Sequence, residues 1–205
     1  SSDLNDHAGL PFHVLSSSDI SSIVAGNSQT YAAQSFDQFN NPIADVTGST
    51  GFSIEAGAGG SWSNNIYTSQ VAGTWTVTGT YLTYSDTASL TVNAGPLHHI
   101  IISPDSATVT AGSTQAYTSQ CIDQFDNPIA DVTSSTAFSI QAGAGGSWAA
   151  NVYTSAKAGT WTVTGIYSGL TDTASLTVTA GALDHVLITP DGASIMAGST
   201  ITYTA

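Results

Sequence analysis

The chain repeats itself with a step of 86 residues. Ala8-Gly9 followed by His13 returns as Ala94-Gly95 with His99, and again as Ala180-Gly181 with His185. Ala25-Gly26, Ala111-Gly112 and Ala197-Gly198 keep the same step, as do Tyr31, Tyr117 and Tyr203. Residues 8–93 align with 94–179 without a gap and share 52 identities in 86 positions. Self-similarity at a fixed period means one structural unit copied in tandem. The 205 residues therefore divide into an N-terminal remnant or linker (1–7), repeat 1 (8–93), repeat 2 (94–179) and the opening of a third repeat (180–205). That opening supplies only the first two strands of a unit. Two strands alone are marginal in water. Continuation into a longer array is the favoured reading, and completion by another chain is the variant.

Within a unit the hydrophobic period is two. Thr74-Trp75-Thr76-Val77-Thr78-Gly79-Thr80-Tyr81 alternates strictly, with Trp75, Val77 and Tyr81 on one face and the threonines on the other. Thr160 to Thr164 and Thr87 to Val92 alternate in the same way. Turn clusters punctuate the strands: Asn40-Asn41-Pro42, Ala56 to Gly60, Ala72-Gly73 and Tyr84 to Asp86. No helical stripe interrupts them. The pattern predicts an all-β chain, each repeat a β-sandwich of about seven short strands, A to G. If strand A descends from the preceding unit, the B–C turn lies beside that unit. Continued alternation puts the D–E and F–G connections there too. The link between repeats, Val92 to Leu97, is short and contains Pro96, so it acts as a stiff hinge.

Composition removes several function classes. There are 14 acidic residues and a single basic one, Lys157, for a net charge of −13. A nucleic-acid partner requires Lys and Arg to displace phosphate counterions, so none is expected. An anionic membrane surface would repel this chain, and no apolar run is long enough for direct membrane insertion. The first residues lack the basic and apolar regions of a secretion signal, so the chain reads as mature or excised. One cysteine, Cys121, makes neither a disulfide nor a zinc site; its repeat mate is Ser35, which marks it as a small buried filler. Lys157 has Val71 as its mate, so a Lys-dependent isopeptide bond is not a general feature. Nucleophile elbows, phosphate loops and paired glutamates are absent, and the only Glu, Glu55, is matched by Gln141. The chain is read as no enzyme and as needing no cofactor, calcium apart.

Three runs in repeat 2 carry a family resemblance: Ala-Gly-Ser-Thr-Gln-Ala-Tyr at 111–117, Asp123-Gln124-Phe125-Asp126-Asn127-Pro128, and Ala158-Gly159-Thr160-Trp161-Thr162-Val163-Thr164. Their order and spacing resemble bacterial Ig-like domains, the tandem modules of invasin- and intimin-type adhesins and of many prokaryotic surface proteins. The resemblance implies tandem immunoglobulin-like β-sandwiches, export to the cell surface, and a stalk or adhesive role. It transfers no catalytic residue.

Three sets of residues are candidates for function. Asp37, Asn41 and Asp45 in repeat 1, and Asp123, Asn127 and Asp131 in repeat 2, fall in the B–C region and offer the hard oxygens calcium prefers. The competing reading, and the stronger one, is that they close turns on local N–H groups. Trp62 and Trp148 follow the glycine loop; they are read as packing caps, with sugar stacking as the alternative. His13, His99 and His185 open strand A and are read as joint residues bonding a neighbouring loop. The resulting expectation is a non-catalytic structural module of an extracellular stalk, surface layer or filament. Its partners are copies of itself or neighbouring Ig-like modules, and strand exchange of the incomplete repeat is one mode of assembly. The alternatives are an adhesin or carbohydrate-binding module recognising glycan or a host surface protein, and a spacer of a larger secreted enzyme. Sheet edges lack the usual lysine block, so they are open to pairing.

Overall fold

The computed structural model describes residues 20–205 and the backbone of 13–16. The remnant at 1–7 and the His13 side chain therefore lie outside the described residues. Repeat 1 contains β1 (His13–Ser16), β2 (Ile20–Val24), β3 (Ser28–Thr30), β4 (Ala33–Phe36), β5 (Pro42–Asp45), β6 (Gly51–Ile54), β7 (Ser61–Ser63), β8 (Ile66–Thr68), β9 (Gly73–Tyr81) and β10 (Tyr84–Asn93). Repeat 2 follows with β11 (His99–Ser103), β12 (Ser106–Thr110), β13 (Thr114–Ala116), β14 (Thr118–Ile122), β15 (Pro128–Asp131), β16 (Ala137–Ile140), β17 (Ser147–Ala149), β18 (Val152–Thr154), β19 (Gly159–Tyr167) and β20 (Leu170–Thr179).

Each repeat is a two-layer β-sandwich. One layer is a four-stranded sheet, ordered β2-β10-β9-β6 and β12-β20-β19-β16. The other layer consists of two three-stranded pieces, β1-β4-β5 with β3-β8-β7, and β11-β14-β15 with β13-β18-β17. The seven expected strands become ten segments because three of them divide. Strand A crosses between layers: β1 pairs antiparallel with β4, whereas β2 pairs parallel with β10. Strand B breaks at Tyr31, whose N–H bonds the Asn65 carbonyl at 2.9 Å and whose own carbonyl accepts the Asn65 side-chain amide at 2.6 Å. The segment after the glycine loop adds the hairpin β7–β8.

The strict alternation of β9 and β10 explains the core. Val77, Ala88, Leu90 and Val92 point inward and are buried, while the threonines between them face outward. From the opposite layer come Tyr31 and Tyr67, both fully buried. Trp62 joins them, with ring centroids 5.7 Å from Tyr31, 5.1 Å from Tyr67 and 6.0 Å from Phe52. Repeat 2 builds the same cluster from Tyr117, Phe138, Trp148 and Tyr153. Burial of such aromatic groups is the main stabilising term in a unit of this size.

One end assignment is corrected. The D–E loop at 56–60 lies at the end away from the B–C turn, where Ala58 accepts the Val71 N–H at 3.2 Å. The reason is the brevity of strand C. β5 ends in a 3-10 turn at Thr47–Ser49, held by the Val46 N–H to Ala33 O and by Thr47 on Ala33 N, before it can cross the unit. Strand D therefore starts at the near end and runs away from it. The third-repeat opening also differs from the two strands expected. Residues 180–205 form a single bridge, Thr189 to Thr204. That bridge is the counterpart, 86 residues on, of the Ser103–Thr118 pair in repeat 2.

The glycine loop requires its glycine. At Gly60 (φ +76°) an added Cβ would meet the Thr68 carbonyl, and Gly146 repeats this against Thr154. Gly60→Ala or Gly146→Ala should lower stability by about 2–4 kcal/mol in denaturant unfolding, from backbone strain plus steric overlap. Gly48→Ala, with open space around it, should be nearly neutral and serves as the control.

Candidate functional joint

The described residues place the chemistry of this chain at the junction of the repeats. The loop between β14 and β15 turns tightly on Asp123, which is fully buried. Its Oδ1 accepts the N–H groups of Phe125 at 2.8 Å and Asn127 at 2.9 Å. Its Oδ2 accepts the Asn127 side-chain amide at 2.8 Å and the Gly95 N–H of the linker at 2.7 Å. Burial pushes this carboxyl upward, but the hydrogen bonds from Asn127, Gly95 and Phe125 outweigh it and hold Asp123 below the usual carboxylate range. The loop is thus an Asx-type turn that also clamps the incoming chain.

That turn presents Asn127 and Phe125 to repeat 1. The Asn127 Oδ1 accepts the Ala72 N–H at 2.7 Å, and its Nδ2 donates to the Gln70 carbonyl at 2.7 Å. Both partners lie in the turn between β8 and β9. Phe125 packs against the core cluster of repeat 1. A Cβ added at Gly26 would stand 3.0 Å from the Phe125 ring, so the glycine (φ +90°) opens the seat for it. Gly26 is fixed in turn by its N–H to Ser69 O at 2.9 Å, and Ser69 Oγ donates to Val24 O and Asn27 O. The seat is therefore a built surface: a glycine turn, a buried serine and an exposed peptide edge.

The candidate residues can now be placed. In repeat 1, Asp37 makes the same turn: its Oδ1 accepts Phe39 N and Asn41 N at 2.8 Å, and its Oδ2 accepts Asn41 Nδ2 at 2.8 Å. Those bonds, led by the Asn41 side chain, hold Asp37 below its ordinary range. Asp45 and Asp131 each accept a Thr N–H two residues on, from Thr47 and Thr133, and are lowered by the Thr side chain and backbone. Among the described residues no group of three or more His, Cys, Asp or Glu side chains is placed to hold a metal ion. His99 stands 3.8 Å from Asp126 of its own B–C loop. His185 pairs instead with its neighbour Asp184 at 2.9 Å and is exposed. Trp62 and Trp148 lie on strands, β7 and β17, within the aromatic clusters, and their indole N–H groups are buried without a partner among the described residues. Glu55 and Gln141 do the same backbone work, accepting Thr76 N and Thr162 N.

Sequence reasoning located the B–C loop at the joint but missed Phe125, Gly26, Gln70 and Ala72. Phe39 and Phe125 carried a readable signal: a large apolar residue inside an Asp/Asn turn has no local reason to be there. Gln70 and Ala72 carried none, because they act through backbone groups.

No protein-family model matches the chain, and no curated protein matches it in sequence. Among solved structures, domains 5–6 of the S-layer protein SbsC share 18% identity, covering 84% of this chain and 99% of that one, at a TM-score of 0.33. The segment of SbsC domains 4–9 also shares 18% identity at 0.33, and this chain spans 33% of it. FdeC, an Escherichia coli adhesin, shares 21% identity over 86% of this chain and 66% of that one, at 0.45. At these scores the sheets and their order define the fold, and the likenesses add nothing to it. No helix among the described residues is long and apolar enough to cross a membrane.

Two outcomes are expected. Asn127→Ala leaves Ala72 N and Gln70 O without their partner and should weaken the coupling between repeats by about 1–3 kcal/mol, read as separation of their unfolding transitions. Acid should act in the same direction. Asp123 has its folded pKa below the unfolded value of about 3.9, so its contribution is full above that value and is lost as pH falls through the folded pKa. Inter-repeat couplings measured by NMR should persist at neutral pH and fade below about pH 4.

Proposed function

We propose that this chain is a non-catalytic structural segment of an extracellular surface protein, serving in a stalk, layer or filament whose units are joined stiffly. The observation that carries this reading is the docking of Asn127 and Phe125 onto Gln70, Ala72 and Gly26. A short, stiff linker alone limits how far two sandwiches can swing but does not fix the angle between them. A buried amide with two bonds across the joint, beside an aromatic plug, fixes their relative orientation. The near absence of Lys and Arg supports an exposed life, since it removes sites for trypsin-like cleavage.

Two finer points belong to the same proposal. The Asp residues of the B–C loops close turns and do not require calcium, because the acceptor positions of Asp37 and Asp123 already take N–H donors. Trp62 and Trp148 act in packing; their contacts with neighbouring core rings support this over sugar stacking.

Small-angle scattering and residual dipolar couplings test the mechanical reading. The two repeats should reorient as one elongated body, and added calcium or chelator should change neither the shape nor the melting temperature. Independent tumbling of the repeats would overturn the stiff-joint reading. Antibody labelling of intact source cells tests location: label at the outer surface is expected, and label only after permeabilisation would overturn it.

A further inference from the structure

Two imidazoles meet where the linker enters repeat 2. His98 precedes β11 and His99 opens it. Their Nδ1 atoms stand 3.2 Å apart, with the ring planes at 88°. Neighbours on a regular strand send their side chains to opposite faces; at this strand start the two rings come together instead. The backbone fixes both residues: the His98 N–H bonds Ile122 O at 2.9 Å, and His99 pairs with Ile122 in the β11–β14 register. His98 is exposed and the His99 side chain half-buried. On the other side of the His99 ring, Nε2 lies 3.8 Å from the Asp126 carboxylate. The doublet occurs once in the sequence. The residue before the strand A histidine is Phe12 in repeat 1 and Asp184 in the third opening.

Two Nδ1 atoms at this distance repel each other unless a proton or a cation lies between them. In the metal-free chain it is a proton, and the contact is an N–H···N hydrogen bond. The Asp126 carboxylate draws the His99 proton to Nε2, which makes His99 Nδ1 the acceptor and His98 Nδ1 the donor. A metal ion can take that proton's place. Zinc bonds imidazole nitrogen at 2.0–2.1 Å in tetrahedral geometry, which sets two such ligands about 3.3 Å apart. The 3.2 Å between the histidines meets that bite after a small turn of the exposed His98 ring. The displaced proton moves to Nε2 of the same ring. A metal-ligating histidine characteristically gives its other N–H to a carboxylate, and Asp126 stands there for His99. The net charge of −13 draws divalent cations toward the chain.

We infer that His98 and His99 form a binding site for a divalent transition-metal ion of the zinc type, held by the two Nδ1 atoms. Among the described residues no third His, Cys, Asp or Glu converges on the pair, so water completes the shell. Asp126 is the positioning residue, acting through His99 Nε2. Imidazole nitrogen selects ions of this class over calcium and magnesium, which take oxygen ligands. The site is therefore separate from the turn-closing aspartates. Two protein ligands, against the four of a structural zinc site, make the ion exchangeable, and the chain prepared with chelator is the metal-free reference. The ion joins the end of the linker to the start of β11, and Asp126 shares its loop with Phe125 and Asn127. The site thus lies beside the joint without using any of its contacts. It stands apart from the surface-protein reading, and neither depends on the other.

The test titrates Zn²⁺ into the full 205-residue chain, freed of metal, at about pH 7.5, where imidazole is neutral. Excess Mg²⁺ occupies diffuse acidic sites. Nitrogen NMR shifts should move at Nδ1 of His98 and His99 and saturate at one ion per chain, while calcium moves neither. His98→Ala and His99→Ala should each weaken binding at least about tenfold, with melting curves as the folding control. His185→Ala removes an exposed histidine paired with Asp184 and should change nothing. Asp126→Asn should weaken binding about tenfold. In the metal-free chain it should also move the His99 proton from Nε2 toward Nδ1, a shift that a merely structural role would not cause; Asp126→Glu should restore both. Shifts confined to His7, His13 or His185, no shift up to about 1 mM zinc, or binding unchanged in both His98→Ala and His99→Ala would overturn the inference. Independent tumbling of the repeats would remove the stiff joint and leave this site standing, since both histidines and Asp126 belong to repeat 2.

Discussion

Asn127 makes three side-chain hydrogen bonds, and two of them cross to the preceding repeat. It can do so only because Asp123 holds it in place. The buried carboxylate gathers four N–H donors from its own loop and from the linker, which sets the turn, aims the amide and ties the incoming chain to both. A buried carboxylate is costly unless its acceptors are filled. Here every bond that lowers the cost also orders the joint. Phe125 then adds apolar contact where the amide supplies direction.

The sandwich serves this joint by being stiff at its ends. The serine brace on the Gly26 turn, and the Val71 contact with the glycine loop, tie the A–B, D–E and E–F connections of one end into a single surface. Few of those contacts involve large side chains. Backbone groups and small residues form the seat, and the plug supplies the aromatic ring and the amide. That division explains how Val71 and Lys157, or Gln70 and Ala156, can exchange between repeats while the turn keeps its form.

Much of the fold was legible. Period-two alternation in Thr74 to Tyr81 forces a half-buried strand whatever its neighbours, and Trp75 and Val77 turn inward as it requires. The division of strands A and B was not legible. It depends on Tyr31 finding Asn65, 34 positions away, and on β2 choosing β10 as a parallel neighbour. Nor was the sense of strand D, since a 3-10 turn at Thr47 decides whether the chain crosses the unit. At the joint the Asp and Asn positions could be found from their repetition. Their chemistry could not, because turn closure and cation binding call for the same oxygens.

The sequence by itself determined that two copies of one unit exist and that each carries an Asp-Gln-Phe-x-Asn-Pro turn. Those are local and periodic properties, set by side chains near in sequence. Only the tertiary structure decided that the two turns differ in state. Asn127 is buried between repeats and Asn41 is exposed. Nearly the same six residues give both outcomes because burial here depends on what stands opposite. For Asn127 that is the seat at Gly26, Gln70 and Ala72, and no pattern within the loop encodes its presence.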